Sequence, residues 1–359
     1  MSAVRKWAVF VDGSSVSAKA FDAACLFLSS QNSKGGTDQL TVVHAHDPEI
    51  DKTKACHLRG PFIVSSYETN LIKARRVYEG MCSRRLKTRV VSKEFKKSSE
   101  SVEVCHQDIT RSVTNVENAP ALVAALLRCN AEEIGSDYIF LGSFGEGGTK
   151  VGQYGTVTDY LVRLTNATTF VVNHWRPLPK AGEGVCLVVA IDGEETSLRA
   201  VEEILQISTP ADRVIGLLVS RHKGPRDEAV IKRVDEIVAK HRGEAVPECL
   251  CQWAELTEGK GPASQVICDA AETLEADFLV VGSANLSQGA RSRESMPLMG
   301  STALYCSHHA KCHVMVVKPC SFTSRLEAEE RRGVRASVSA AYGPAGHHSH
   351  HPGRHGHDG

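Results

Sequence analysis

Asp137-Tyr138-Ile139-Phe140-Leu141-Gly142-Ser143 returns later in the chain as Asp277-Phe278-Leu279-Val280-Val281-Gly282-Ser283. Each stretch is a short apolar run closed by glycine, as expected of a strand covered on both faces. Working outward, Trp7-Ala8-Val9-Phe10-Val11 ends in Asp12-Gly13-Ser14, and Cys186-Leu187-Val188-Val189-Ala190-Ile191 ends in Asp192-Gly193-Glu194. A segment with helical spacing follows each. The apolar runs Thr169-Phe170-Val171-Val172 and Val314-Met315-Val316-Val317 close the two sets. Short runs of Val, Ile and Leu alternating with helical segments predict an α/β chain containing two tandem, doubly wound parallel-sheet domains.

The length of 359 residues fits this duplication, since domains average roughly 150 residues. Pro177 to Gly184 is rich in Pro and Gly and reads as the linker. We expect a first domain at 1–179, a second at 180–320 and a disordered, His-rich tail at 321–359. The first copy is longer: its aspartate-to-glycine interval runs from 12 to 142, against 192 to 282 in the second. The difference implies loop insertions in the first copy. Basic and acidic residues balance at 42 each, so no global field draws the molecule to nucleic acid or anionic membrane. The 12 cysteines are too dilute for a secreted disulfide scaffold. The run Trp7–Val11 is too short for a secretory signal, and no stretch approaches membrane-spanning length. The expectation is a cytoplasmic protein with reduced thiols.

In open parallel sheets, ligands bind beyond the carboxyl ends of the strands, where strand order reverses. Asp12 and the Gly142-Ser143-Phe144-Gly145 loop stand at such ends, and after nine intervening residues come Gly155-Thr156. Glycines let backbone N–H groups approach phosphate oxygens, and the start of the helix after Gly155 favours anions. Asp12 would accept hydrogen bonds from a ribose or base edge, while Lys150 would supply a mobile positive charge.

The spacing Gly-x-x-Gly-x(9)-Gly-Thr, the strand-ending Asp12-Gly13-Ser14 with Ser17, and the closing apolar strand resemble the universal stress protein family, in its ATP-binding branch. The loop Gly142-Ser143-Phe144-Gly145-Glu146-Gly147-Gly148 has a form common in that family. The resemblance implies five-stranded domains of order 3-2-1-4-5 that bind ATP or AMP, with Mg as an option, and pair through their last strands. Carried over by position, the nucleotide contacts are Asp12, Ala45, Leu141, Gly142, Gly145, Gly155, Thr156 and Val157. The implied role is a nucleotide-dependent stress-response or signalling module.

The second copy keeps Asp192, Gly282, Gly300 and Ser301 but has Asn285 at the second glycine position. Fourteen residues, including Arg291, Arg293 and Pro297, separate Asn285 from Gly300. We expect a weak or vacant second nucleotide site whose domain pairs with the first inside one chain. A protein partner and further association into a homodimer stay open, a membrane partner is excluded and nucleic acid is disfavoured.

There is no Gly-x(4)-Gly-Lys-Ser/Thr, no Gly-x-Gly-x-x-Gly after the first strand and no Gly-x-Ser-x-Gly, so no catalytic residue is assigned. The enzymatic alternative is slow ATP hydrolysis supported by Asp12 and Glu146. A second alternative is a nucleotide-free scaffold acting through the basic 73–97 segment, which otherwise reads as a solvated helix face. Cys306, His308, His309, Cys312 and His313 cluster in sequence but lack the two spaced pairs of a structural zinc site, so no metal is assigned. Cys249 and Cys251 share one strand face and read as core.

Overall fold

The computed structural model describes residues 4–12, 14–33, 38–46, 89–94, 119–145, 150–151, 154–180, 183–221, 224–241, 249–255, 261–283 and 299–319. Among these, the first half of the chain forms β1 (Lys6–Val11), α1 (Ser15–Ser33), β2 (Gln39–His46), β3 (Arg89–Glu94), α2 (Ala119–Ile134) and β4 (Tyr138–Gly142). It continues with the two-residue β5 (Lys150–Val151) and β6 (Tyr154–Gly155), α3 (Thr156–Leu164) and β7 (Thr168–Val172). The second half gives β8 (Cys186–Ile191), α4 (Glu195–Ile207), β9 (Arg213–Ser220), α5 (Pro225–Lys240) and β10 (Cys249–Glu255). It closes with α6 (Ala263–Thr273), β11 (Phe278–Gly282), α7 (Ser301–His309) and β12 (His313–Val317). The expected tail at 321–359, the calls on Glu146 and Asn285, and most of the basic 73–97 segment lie outside the described residues.

Ten strands form one sheet in the order β10-β9-β8-β11-β12-β7-β4-β1-β2-β3. Each set of five follows 3-2-1-4-5, and the two meet where β7 and β12 run antiparallel, with Val171 opposite Val314 and Phe170 opposite Met315. Every other pair in this sheet is parallel. One expectation needs correction: Arg89–Glu94, inside the basic segment read as a helix face, is the strand β3 and pairs with β2. It lies last in the sheet order. End strands commonly carry Lys and Arg because charge there discourages association of sheets.

The repeated aspartate at the head of the twin stretches has a structural duty. Asp137 Oδ2 accepts the Lys6 N–H at 2.9 Å and Asp277 Oδ2 accepts the Cys186 N–H at 2.9 Å, so each fixes the start of its first strand beside its fourth. Period-two alternation then sorts the apolar side chains to two faces. On one face Phe140 stacks on Phe170 at 4.2 Å, and Phe27 of α1 meets Phe278 of β11 at 5.4 Å, carrying the core across from one half to the other. Ile139, Leu141, Leu279 and Val281 belong to the core of the opposite face.

Polar groups also tie the seam between β7 and β12. Thr168 Oγ1 donates to Glu203 at 3.0 Å, Asn173 Nδ2 donates to Cys312 O at 2.5 Å, and the Asn173 N–H donates to His313 Nδ1 at 3.0 Å. Burial pushes His313 down to about 3, helped by the charges of Lys19 and Arg176, so the ring stays neutral as an acceptor. Lys318 Nζ donates to Val162 O in the last turn of α3, and burial lowers its amine to about 8. On the same side, His308 of α7 sits 3.1 Å from Asp159 of α3. Burial alone would raise Asp159, but the bond to His308 and the charge of Arg163 outweigh it and hold the carboxyl below its usual range.

Candidate functional site

At the carboxyl end of β1 the chain must leave the strand and enter α1, and three short polar side chains build the turn. Asp12 Oδ1 accepts the Ser14 N–H at 3.0 Å, Ser14 Oγ accepts the Ser17 N–H at 3.1 Å, and Ser17 Oγ accepts the Asp12 N–H at 3.3 Å. Ser14 thereby caps the helix, satisfying an N–H that the first turn leaves over. The turn presents Asp12 at the surface.

Beside it, β4 ends at Gly142. A Cβ on Gly142 would lie 3.1 Å from the backbone of Val16 and Ser17, so this glycine lets the strand end press against the start of α1. The loop then returns over the strand end: a Cβ on Gly145 would come within 2.2 Å of Asp12 Oδ2, and one on Gly155 within 3.2 Å of Phe144 Cα. Gly155 donates its N–H to Ser143 O at 2.7 Å, and Thr158 Oγ1 donates to Gly142 O at 2.8 Å, which pins the loop to the first turn of α3. Thr156 opens that helix. The Ser143 hydroxyl is buried without a hydrogen-bond partner.

The structure therefore brings Asp12, Gly142, Gly145, Gly155 and Thr156 to one strand-end crevice. Leu141 is buried beneath it and Val157 packs partly into the core. Ala45 lies near the same end of the sheet: Val11 is in register with His44, which places Ala45 one row on. Lys150 falls in β5. Sequence reasoning missed Thr158, whose only signal is a hydroxyl in the first turn of α3, and Lys19, whose Nζ donates to the carbonyls of Asn173, His174 and Arg176 beyond β7.

These groups fit an anionic, hydroxyl-bearing ligand. An exposed carboxylate faces a glycine-lined loop, a helix begins at a glycine with no capping side chain, and a buried hydroxyl has hydrogen-bonding capacity in reserve.

The second half repeats the turn with different chemistry. Asp192 Oδ1 accepts the Glu194 N–H at 2.9 Å and the Ser197 hydroxyl at 2.7 Å. Gly193 adopts φ +84°, and a Cβ there would meet Val230 of α5 at 2.4 Å, so α5 closes against this turn. Gly282 presses on Thr196 and Ser197 as Gly142 does on Val16 and Ser17. Gly300 precedes Ser301 at the start of α7, but the position equivalent to Thr158 is Ala303, which has no hydroxyl to pin the loop.

The sequence cluster of Cys and His disperses in three dimensions. Cys306 is buried, His308 turns to Asp159, His309 stacks on Tyr305 at 4.0 Å, and His313 faces Asn173. Among the described residues no group of His, Cys, Asp and Glu is arranged to hold a metal, and no helix is long and apolar enough to cross a membrane.

Residues 187–318 match the Universal stress protein family. No curated protein matches the chain. Among solved structures, a universal stress protein from Archaeoglobus fulgidus shares the fold, with a TM-score of 0.52, 16% identity, and coverage of 87% of this chain and 98% of that one. A putative universal stress protein from Pseudomonas aeruginosa aligns at 17% identity and a TM-score of 0.48 over 91% of this chain and 97% of that one. A universal stress protein family protein from Arabidopsis thaliana with AMP bound aligns at 23% identity and a TM-score of 0.26 over 37% of this chain and 90% of that one.

Proposed function

We propose that the chain is a tandem universal-stress-protein-like molecule whose first domain, residues 1–179, binds an adenine nucleotide, ATP or AMP, and whose second, residues 180–320, serves chiefly as its paired mate. The observation that carries this reading is the approach of Gly145 to Asp12, with room for no side chain between them. It gives Gly145 a reason to lack a side chain at the strand end where this reading puts the nucleotide. The family match at 187–318 covers the other half, so the choice of adenine nucleotide rests on the resemblance of the first half's own motif.

In this reading Asp12 accepts hydrogen bonds from the ribose or base edge. The backbone N–H groups near Gly145 and at the start of α3 take the phosphates, the Gly155 N–H stays on Ser143 O, and the Thr156 hydroxyl adds a further donor. Occupancy would be read out through α3, because Asp159, one turn past Thr156, contacts His308 of the other half. The role is nucleotide-dependent signalling in a stress response.

Calorimetric titration of the nucleotide-stripped full chain with ATP and with AMP tests this. One site per chain is expected for the nucleotide that binds, and Asp12→Ala should weaken it at least tenfold while circular dichroism stays unchanged. A folded wild-type protein that binds neither nucleotide refutes the reading.

A further inference from the structure

Beside the glycine loop, the turn that follows β7 carries a row of aromatic rings. Phe144, between Gly142 and Gly145, meets His174 edge-to-face at 4.8 Å, and His174 meets Trp175 in the same manner at 4.5 Å. His174 is exposed, and Trp175, at 39% exposure, is one of two large apolar side chains left open among the described residues. The turn beneath them is held in place. Lys19 Nζ of α1 donates to the carbonyls of Asn173 at 3.2 Å and Arg176 at 3.1 Å and to that of His174, while Trp175 Nε1 donates to Lys311 O at 3.0 Å. We propose that this aromatic shelf is a second base site, an inference that rests on the nucleotide reading above. The first half then takes a dinucleoside oligophosphate, with one base at Asp12 and the other on His174 and Trp175.

The sheet order sets the path of such a ligand. β1, β4 and β7 are neighbours, so the strand ends that lead to Asp12 and to His174 stand two strand spacings apart, about 10 Å, on either side of the Gly142 loop. Phosphates lying between the loop and the start of α3 would thus reach toward Phe144 and the shelf. Lys19 adds a positive charge beside that path, where bridging phosphates pass. Trp175 has its single donor committed to Lys311 O, so what it offers a ligand is ring surface. Stacking on aromatic side chains is a recurrent way of holding nucleic-acid bases, because every base has a π-face. The second half has no aromatic counterpart at these positions. Gly142 pairs with Val172 and Gly282 with Val317, and counting on from them puts Ala284, Pro319 and Cys320 where the first half has Phe144, His174 and Trp175. The rings therefore go with the half that carries the glycine loop, and the fold common to both halves does not require them.

The test titrates the nucleotide-stripped full chain by calorimetry with ATP, AMP, adenosine tetraphosphate and diadenosine tetraphosphate. Adenosine tetraphosphate has the same phosphates as the last ligand without its second base, so the comparison isolates the shelf. Diadenosine tetraphosphate is expected to bind one per chain and at least tenfold tighter than adenosine tetraphosphate. Trp175→Ala should bring the two affinities within about twofold of each other, and Trp175→Phe, which keeps a ring, should restore most of the difference. A chain that binds ATP or AMP but holds diadenosine tetraphosphate no tighter than adenosine tetraphosphate overturns the second base site and leaves the nucleotide reading standing. An advantage that survives both Trp175→Ala and His174→Ala, or one ligand shared between two chains, also overturns it. A folded wild-type protein that binds none of the four refutes the nucleotide reading and the second site with it.

Discussion

The two strand-end turns are built on one plan and finished differently. In both, an aspartate ending the first strand accepts the N–H two residues on, and a serine five residues on accepts the aspartate's own N–H. In both, the glycine ending the fourth strand lets the backbone press against the first helix. The Gly142 and Gly282 positions are therefore explained by packing alone, which would hold without any ligand. The difference lies above that level. Asp12 faces Gly145 in a loop that Thr158 pins, whereas Asp192 takes the Ser197 hydroxyl, α5 closes on Gly193, and Ala303 leaves no pin. A shared scaffold thus needs few substitutions to separate a candidate binding site from a structural partner.

The largest expected effect tests what the halves share. Phe170 is fully buried between Phe140 of its own half and Phe278 of the other. Phe170→Ala should cost about 3–5 kcal/mol, measured by urea denaturation. A loss below about 1 kcal/mol would mean that the seam is not a packed core.

Next comes the site itself. Asp12→Ala should weaken nucleotide binding at least tenfold, about 1.4 kcal/mol or more, while Asp192→Ala leaves it unchanged in the same calorimetric assay. Equal losses from the two would erase the contrast. Gly145→Ala should act in the same direction as Asp12→Ala, because the added methyl displaces the Asp12 carboxylate.

Acid should loosen the seam. His313 has a folded-state value of about 3 against 6.5 unfolded, so between those values the unfolded chain binds more protons. Stability from this group is intact above about pH 6.5 and falls by about 1.4 kcal/mol per unit below it. Asp159, held below its usual range, adds a loss at still lower pH. His313→Asn should flatten the stability profile between pH 6 and 4 in denaturant titrations, and an unchanged slope would remove His313 from this account.

The smallest effect concerns the caps. Ser14 caps α1, whereas Glu194 gives α4 no side-chain cap. Ser14→Ala should cost about 1 kcal/mol, and Glu194→Ser should recover a similar or smaller amount in the second half. Thermal melts that move in the same direction for both would contradict the assignment.

Much of this was legible from residue order. The twin stretches at Asp137 and Asp277 are the fourth strands, while the order 3-2-1-4-5 in both halves and the pairing through the last strands are what the family resemblance implied. Asp12 and Gly142 meet because they stand at the ends of the adjacent strands β1 and β4, and Gly145 and Gly155 return to them in the segment that follows β4. The strand at Arg89–Glu94 was hidden by its charge, since a basic run has no apolar period to reveal it. The approach of Asp159 to His308 depends on helices packed by tertiary structure, and the pair has no local signature. The packing demand at Gly142, where a Cβ would meet the Val16 and Ser17 backbone, has no signal in the sequence either.

The central claim is that one half binds nucleotide and the other does not. Amide hydrogen exchange on the full chain, with and without saturating ATP or AMP, tests it most directly. Protection is predicted at Leu141–Gly145 and Gly155–Thr158, with no change at Gly282–Ser283 or Gly300–Ala303. Equal protection at both strand ends, or protection confined to the second, would contradict it.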